Sequence, residues 1–428
     1  MKPLNLYRSC SHLLGLCLLG ATSLAWGSGY GVYDTRTLAL GGTGVAMGDI
    51  NTGHFYNPAL TAFHYGHEDR TQDGLHSLQL LVTSLSDGAR TATEAIDDDL
   101  EGQLTQAIDQ LNEAPTPQTA RAGIDAAHNL ESAMLELRGE YIDMEAQLGY
   151  SISLPADREG GAFFIGTRLI GEGQADIQDE DLDLLQDYVE ALEFIESNGS
   201  QGQPHPVLYD DAGRLIDPSN QTLSTAEGTV ALVSEFGLSA AKEFHIWHQP
   251  VSWGLSPKAI YLRVFDETWE AADDEIVSNG EDETALYFNL DLGVAATFAE
   301  VFRVGLAVKD LRSMSLVTVL GREIILEPRT RLGLAYLGEH WRVGLDADLS
   351  KTARLRRNAS RQDLSFGLEY QTLKGLQLRA GYSHDLEGSV DDKISVGLGW
   401  RLGRFALDLA YSSGSDSQGA GLHLGWAH

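Results

Sequence analysis

Residues 364–411 read LSFGLEYQTLKGLQLRAGYSHDLEGSVDDKISVGLGWRLGRFALDLAY. Large apolar side chains recur at every second position: Leu364, Phe366, Leu368 and Tyr370, then Leu376, Leu378, Ala380 and Tyr382. Ile394, Val396, Leu398 and Trp400 repeat the pattern, and so do Phe405, Leu407, Leu409 and Tyr411. A strand turns successive side chains to opposite faces, so each run presents one apolar face and one face of glycine, serine and charge. Alternation in segments of about ten residues, joined by links as short as Leu402–Arg404, is what strands of a transmembrane barrel require.

Working outward from this stretch, the same rhythm extends to Leu422, Leu424 and Trp426 and back through Trp341–Leu349, Leu332–Tyr336, Val304–Val308 and Phe288–Val294. Further upstream it includes Ile260, Leu262 and Val264, Val230–Leu238, Phe163–Leu169, Leu148–Leu154 and Leu78–Val82. The pattern predicts an all-β fold, a transmembrane antiparallel β-barrel of about 14 strands with the apolar faces toward lipid. Three acidic inserts interrupt it, near 84–142, 171–228 and 266–283. In the first, Ile96, Leu100, Leu104, Ile108 and Leu111 recur at helical spacing up to Pro115, and Ile124–Tyr141 suggests a second helix; in the second, Leu182–Ile195 does the same. Long and short links alternate along the whole chain, so the inserts share one end, the extracellular one, and the tight turns share the periplasmic end. Residues 311–330 break the pattern, and a hairpin standing above the membrane is the expectation there.

Lys2 and Arg8 followed by the apolar core Leu13–Leu24 and Ala25 read as a secretory signal peptide over residues 1–27. Both cysteines, Cys10 and Cys17, lie inside it, so disulfides, thiolate metal ligands and thiol catalysis are not expected in the exported chain. The net charge of −32 speaks against a phosphate-binding surface and hence against nucleic acid as a partner. His64 with His67, His245 with His248, and the acidic triplets at 97–99, 179–181 and 273–275 lack the further spaced ligands of a metal site. No motif brings serine, histidine and aspartate together, so no enzyme, cofactor or metal is expected.

Between leader and first strand, residues 35–63 read TRTLALGGTGVAMGDINTGHFYNPALTAF. Small residues and glycines suit a segment packed in close quarters, and Asn57-Pro58-Ala59 forms a stiff corner because Pro58 fixes its own φ. This pattern, from Arg36 through Gly41, Gly42 and Gly44 to Asn57, Pro58 and Ala59, resembles the N-terminal hatch of FadL-type outer-membrane channels, nearest the branch labelled conjugal transfer protein TraF. The resemblance implies a hatch over 28–75 inside a barrel over 76–428, in the outer membrane of a Gram-negative cell. It further implies that the hatch shifts when a hydrophobic solute binds and that the solute leaves sideways through a gap in the wall.

The alternate strand positions, among them Asp291, Arg342, Asp346, Glu369, Arg379, Arg401 and Asp408, are predicted to face the lumen, with Gly305, Gly344, Gly367, Gly381, Gly397, Gly399 and Gly425 leaving room for the hatch. Arg36 reads first as a surface arginine and second as a partner for one of those carboxylates. Two functions fit: passing or sensing small hydrophobic solutes, or acting as a docking or assembly barrel for conjugation or secretion proteins. A greasy pocket open toward the outside and touching the hatch favours the first, and a lumen filled by paired charges favours the second.

Overall fold

The computed structural model describes residues 30–63, 75–156, 158–199, 203–270, 282–318, 323–354, 359–372 and 375–427. The leader, His64, His67 and the triplet at 273–275 lie outside them.

Fourteen strands close into an antiparallel barrel. In chain order they are β1 (Leu75–Ser86), β2 (Tyr141–Ala156), β3 (Glu159–Asp176), β4 (Thr225–Ile246), β5 (Gln249–Glu270), β6 (Glu283–Phe298) and β7 (Phe302–Lys309). Two strands outside the wall, β8 (Met314–Val317) and β9 (Glu323–Leu326), precede β10 (Arg329–Leu337) and β11 (Trp341–Asp348). A second small pair, β12 (Thr352–Ala353) and β13 (Ser360–Arg361), precedes β14 (Asp363–Gln371), β15 (Leu376–Asp385), β16 (Lys393–Leu402), β17 (Phe405–Ser413) and β18 (Ser417–Ala427). β1 pairs with both β2 and β18, which closes the wall and leaves no edge.

The outward positions are apolar and uncovered: Leu80, Leu148, Phe236, Phe288, Val396 and Leu409 are each about half exposed or more. A continuous surface of that kind is stable against lipid rather than water. Their strand neighbours Gln79, Gln147, Glu235, Asn289, Ser395 and Asp408 are buried in the lumen. Tight turns join β2–β3, β4–β5, β6–β7, β10–β11 and β16–β17 at one end, and every long connection lies at the other.

At the long-connection end the first insert forms three helices, α3 (Asp87–Asp97), α4 (Leu100–Glu113) and α5 (Pro117–Leu137), where two were expected. The helical spacing is continuous from Ile96 to Leu111, but the backbone breaks at Asp99, which adopts φ 52°, a conformation a non-glycine residue rarely takes inside a helix. The second insert supplies α6 (Asp179–Asn198). α4, α5 and α6 enclose a core of their own around Leu104, Ile108, Ile124, Tyr188 and Leu192. The buried carboxylate of Asp181 receives the Leu223 and Ser224 N–H groups, so this member of one acidic triplet is structural. Residues 179–217 contain eleven carboxylates and one arginine, Arg214; Arg121 and Arg138 of the first insert pair with Glu196 and Asp179.

Several boundaries differ from the sequence reading: β3 runs on to Asp176 and β4 begins at Thr225, both within what was assigned to the second insert. β5 runs on to Glu270 through what was assigned to the third insert, because Asp266–Glu270 pair with Thr225–Thr229 of β4. At 22 residues each, β4 and β5 are roughly 70 Å long at 3.3 Å per residue, far more than the ~10 residues a bilayer needs. Between 311 and 330, β8 and β9 pair antiparallel as the expected hairpin, and Met314, Ile324 and Leu326 turn it against the inner faces of β3–β5.

Candidate functional site: the filled lumen

Residues 30–63 lie inside the barrel. They form α1 (Thr35–Ala39), α2 (Gly53–Tyr56) and a 3-10 turn over Pro58–Ala62, all buried. Asp34 caps α1 by accepting the Thr37 N–H at 3.1 Å, and Asn57 caps the 3-10 turn by accepting the Ala59 N–H at 3.1 Å. Pro58 follows as the first residue of that turn, where its missing N–H costs nothing.

The wall is shaped to admit this segment. A Cβ added at Gly254 would strike the Pro58 carbonyl, at Gly293 the Asn57 side chain, at Gly305 the Val45 carbonyl, and at Gly381 the backbone of Leu40 and Gly41. Gly344, Gly367 and Gly397 likewise face Met47, Thr43 and Ala39, whereas Gly399 and Gly425 face the charged side chains Arg379, Asp408 and His423 instead. Gly41 lies against the Tyr382 backbone at φ 65°, so it needs both its conformation and its lack of a side chain. Gly42 and Gly44 pack beside Ser365 and the Tyr56 ring.

Polar contacts pin the segment to the wall. Asp346 accepts the Gly44 and Val45 N–H groups, each at 2.8 Å. Asn57 donates to the Val45 carbonyl at 3.0 Å and to the Val294 carbonyl at 3.1 Å. Ser252 donates to the Ala59 carbonyl at 2.8 Å and Lys309 to the Phe55 carbonyl at 3.0 Å. Arg36 is a buried member of the lumen rather than a surface arginine. Its Nε and Nη2 donate to both oxygens of Glu369, at 2.8 and 3.2 Å.

Glu369 is the centre of a charge network. It also receives Arg379 Nε at 2.8 Å and Arg342 Nη1 at 3.1 Å. Arg379 reaches on to Asp408 at 2.5 Å, and Asp408 to His423 at 2.5 Å. A second cluster surrounds Lys258, whose ammonium lies 3.2 Å from Glu235, 3.1 Å from Asp291 and 2.8 Å from Asp310; Arg329 pairs with Asp310 as well. A third joins Arg331 to Asp348 at 2.5 Å and to the Gly42 carbonyl at 3.2 Å. Arg401 has lumenal parity but belongs to none of these. It is exposed at the end of β16, where the strand leaves the wall.

Sequence reasoning missed Lys258, Glu235, Arg329 and Arg331, and one misreading explains the first. Ile260, Leu262 and Val264 were assigned to the lipid face, yet they are buried inside the lumen, on the same face of β5 as Lys258. With Ile170, Ala231 and Val233 they form an apolar patch on an otherwise polar inner wall. The β8–β9 hairpin covers it with Met314, Ile324 and Leu326. Tyr287 holds the hairpin by donating to the Ser315 carbonyl at 2.5 Å, and Asn289 by donating to the Arg312 carbonyl at 2.9 Å. Only about 10 Å³ remains between hairpin and wall, bordered by Arg168, whose guanidinium lies 5.0 Å over the ring of Tyr33 in the lumenal segment. A larger cavity of about 320 Å³ opens at the helical end. Ser86, Glu145, Glu172, Asp391 and Lys393 are among its lining, beside the apolar Met144, Ile170 and Val390.

These features define a class, the closed antiparallel barrel with an apolar exterior and its own N-terminal residues packed in the lumen. Within that class the chain belongs to the family described as F plasmid transfer operon, TraF, protein, whose model matches residues 54–348. The match includes Asn57, Pro58 and Ala59 and begins after the glycine-rich lead-in. Among solved structures the chain is similar in fold to a TodX deltaS2S3 mutant, a monoaromatic hydrocarbon channel, at 12% identity over 92% of this chain and 99% of that one, TM-score 0.51. It is also similar to the CymD monoaromatic hydrocarbon channel (11% identity, 92% and 97% coverage, TM-score 0.49). A Pseudomonas aeruginosa FadL homologue aligns at 10% identity over 94% of this chain and 98% of that one, TM-score 0.44. No curated protein matches the sequence.

Proposed function

We propose that the protein is an outer-membrane channel for small hydrophobic solutes, held shut by its own chain, and not an enzyme. The observation that carries this reading is the apolar patch on β3–β5, a greasy surface inside the lumen whose present occupant is a hairpin of the same molecule. Met314, Ile324 and Leu326 stand where a solute would lie. Burying three such side chains stabilises the closed form by about 5–9 kcal/mol, and a solute that makes the same contacts offsets that cost. Beneath the patch, Arg168 over Tyr33 links the site to the segment that fills the lumen. A sideways exit has a natural position at Pro257, which lacks an N–H: the β4–β5 ladder skips Leu238 and Ser239 there and resumes at Ala240 opposite Leu255.

Uptake of radiolabelled oleate or toluene, in cells lacking other such channels, tests the proposal. Leu262→Asp places a charge in the patch opposite the apolar Val233 and Ala285, without touching the network around Glu369, and uptake is expected to fall to background while the assembled barrel persists. Unchanged uptake would remove the patch from the path.

A second reading, a docking barrel for conjugation or secretion proteins, is favoured by the paired charges that fill the rest of the lumen and by the acidic helical lobe. It predicts that truncating the lobe abolishes the partner process, whereas the channel reading predicts that uptake survives truncation.

A further inference from the structure

We propose that the paired β12 and β13 are a strap reaching across the mouth of the barrel, latched to the opposite wall by Arg354. The inference concerns access from the helical end, and it holds whether the lumen passes a solute or receives a partner. In the order of the wall, seven strands separate the β11–β14 junction, where the hairpin is rooted, from the β2–β3 junction, counted in either direction. The two junctions are therefore diametrically opposed. Arg354 donates from Nη2 to Asp143 of β2 at 2.9 Å, and its guanidinium lies 3.0 Å from Glu172 of β3.

The root of the hairpin holds to its own side. Asp363 N–H donates to Asp348 at 3.0 Å, Gln362 donates to the Asp348 carbonyl at 2.8 Å, and Lys351 pairs with Glu387 of the β15–β16 link at 2.8 Å. Six residues separate Asp348 from Arg354, a reach of at most about 20 Å, so the chain must head straight into the mouth. The latch is largely buried, with side-chain exposures of 9% for Arg354, 18% for Asp143 and 10% for Glu172. Losing one partner there costs more than at a solvated surface pair. Arg354 also borders the cavity of about 320 Å³, which makes that cavity an anteroom on the way to the lumen.

The exported chain has no cysteine if the leader is removed, since Cys10 and Cys17 are the only two, and this permits a direct test. Ser395 is buried on the lumenal face of β16, two residues beyond the cavity-lining Lys393. Intact cells carrying Ser395→Cys are treated with a membrane-impermeant maleimide. Adding Arg354→Ala is expected to speed labelling about tenfold, equivalent to about 1.4 kcal/mol of lost latch, and Arg354→Lys is expected to restore most of the protection. Arg121→Ala, which breaks the pair that Arg121 of α5 makes with Glu196 of α6, should leave the rate unchanged. If Arg354→Ala fails to assemble, the double variant Asp143→Asn with Glu172→Gln releases the same latch from the other side and is read by the same criterion. An unchanged rate in the assembled variant, or an equal acceleration by Arg121→Ala, would overturn the strap.

Discussion

Glu369 shows how much one residue settles. Wholly buried, it holds three arginines, one from the lumenal segment and two from the wall. Removing it leaves Arg36, Arg342 and Arg379 facing one another, at a cost of about 3–5 kcal/mol for breaking a buried ionic site. Removing Arg36 leaves Glu369 two partners and costs less, about 1–3 kcal/mol. Thermal unfolding in detergent, followed by heat-modifiable gel mobility, should therefore rank Glu369→Ala below Arg36→Ala; the reverse order would mean that the charge network does not hold the segment. Period two alone predicted a lumenal position for Glu369. Its meeting with Arg36, 333 residues earlier, was beyond any local pattern, because nothing in the spacing of either residue encodes a contact across the lumen.

At the scale of elements, legibility depended on whether one face of a strand was uniformly polar. β14 to β18 alternate apolar with glycine, serine or charge, and both their existence and their facing follow from the residues. β5 breaks the rule: Ile260, Leu262 and Val264 form an alternating apolar run that a lipid-facing strand would also show, and only the β8–β9 hairpin lying on it explains why it faces in. The helical lobe was visible as helices but not as a unit, since its core joins α4 and α5 to α6 across the intervening β2 and β3. That separate core yields a prediction. Leu192→Ala, at a position wholly buried among helices, is expected to destabilise the lobe by about 2–5 kcal/mol, which protease cleavage within 100–137 on intact cells would detect, while the barrel keeps its heat-modifiable mobility. Loss of the barrel together with the lobe would show that the two fold as one.

For the whole molecule, the account joins an apolar exterior to a lumen filled by the beginning of the same chain. The glycines of the inner wall connect the two facts, since residues 39–58 lie against the wall at Gly254, Gly293, Gly305, Gly344, Gly367, Gly381 and Gly397, where a strand has no side chain. Sequence already read glycines such as Gly305 and Gly381 as room for the small-residue segment; the individual pairings, Gly254 with Pro58 or Gly381 with Gly41, are a property of the closed cylinder. The most direct test is an oxidative cross-link between Met47→Cys and Gly344→Cys in a chain whose Cys10 and Cys17 have been replaced by serine, because a Cβ at Gly344 would lie 3.2 Å from that of Met47, close to the spacing a disulfide takes. The account predicts near-complete intramolecular disulfide formation in assembled barrels and none between Met47→Cys and Gly149→Cys, a lumenal glycine that faces Gln147 and Gln79 instead. Free labelling of Met47→Cys from solution, with no link to position 344, would show that the segment does not fill the barrel and would contradict the account.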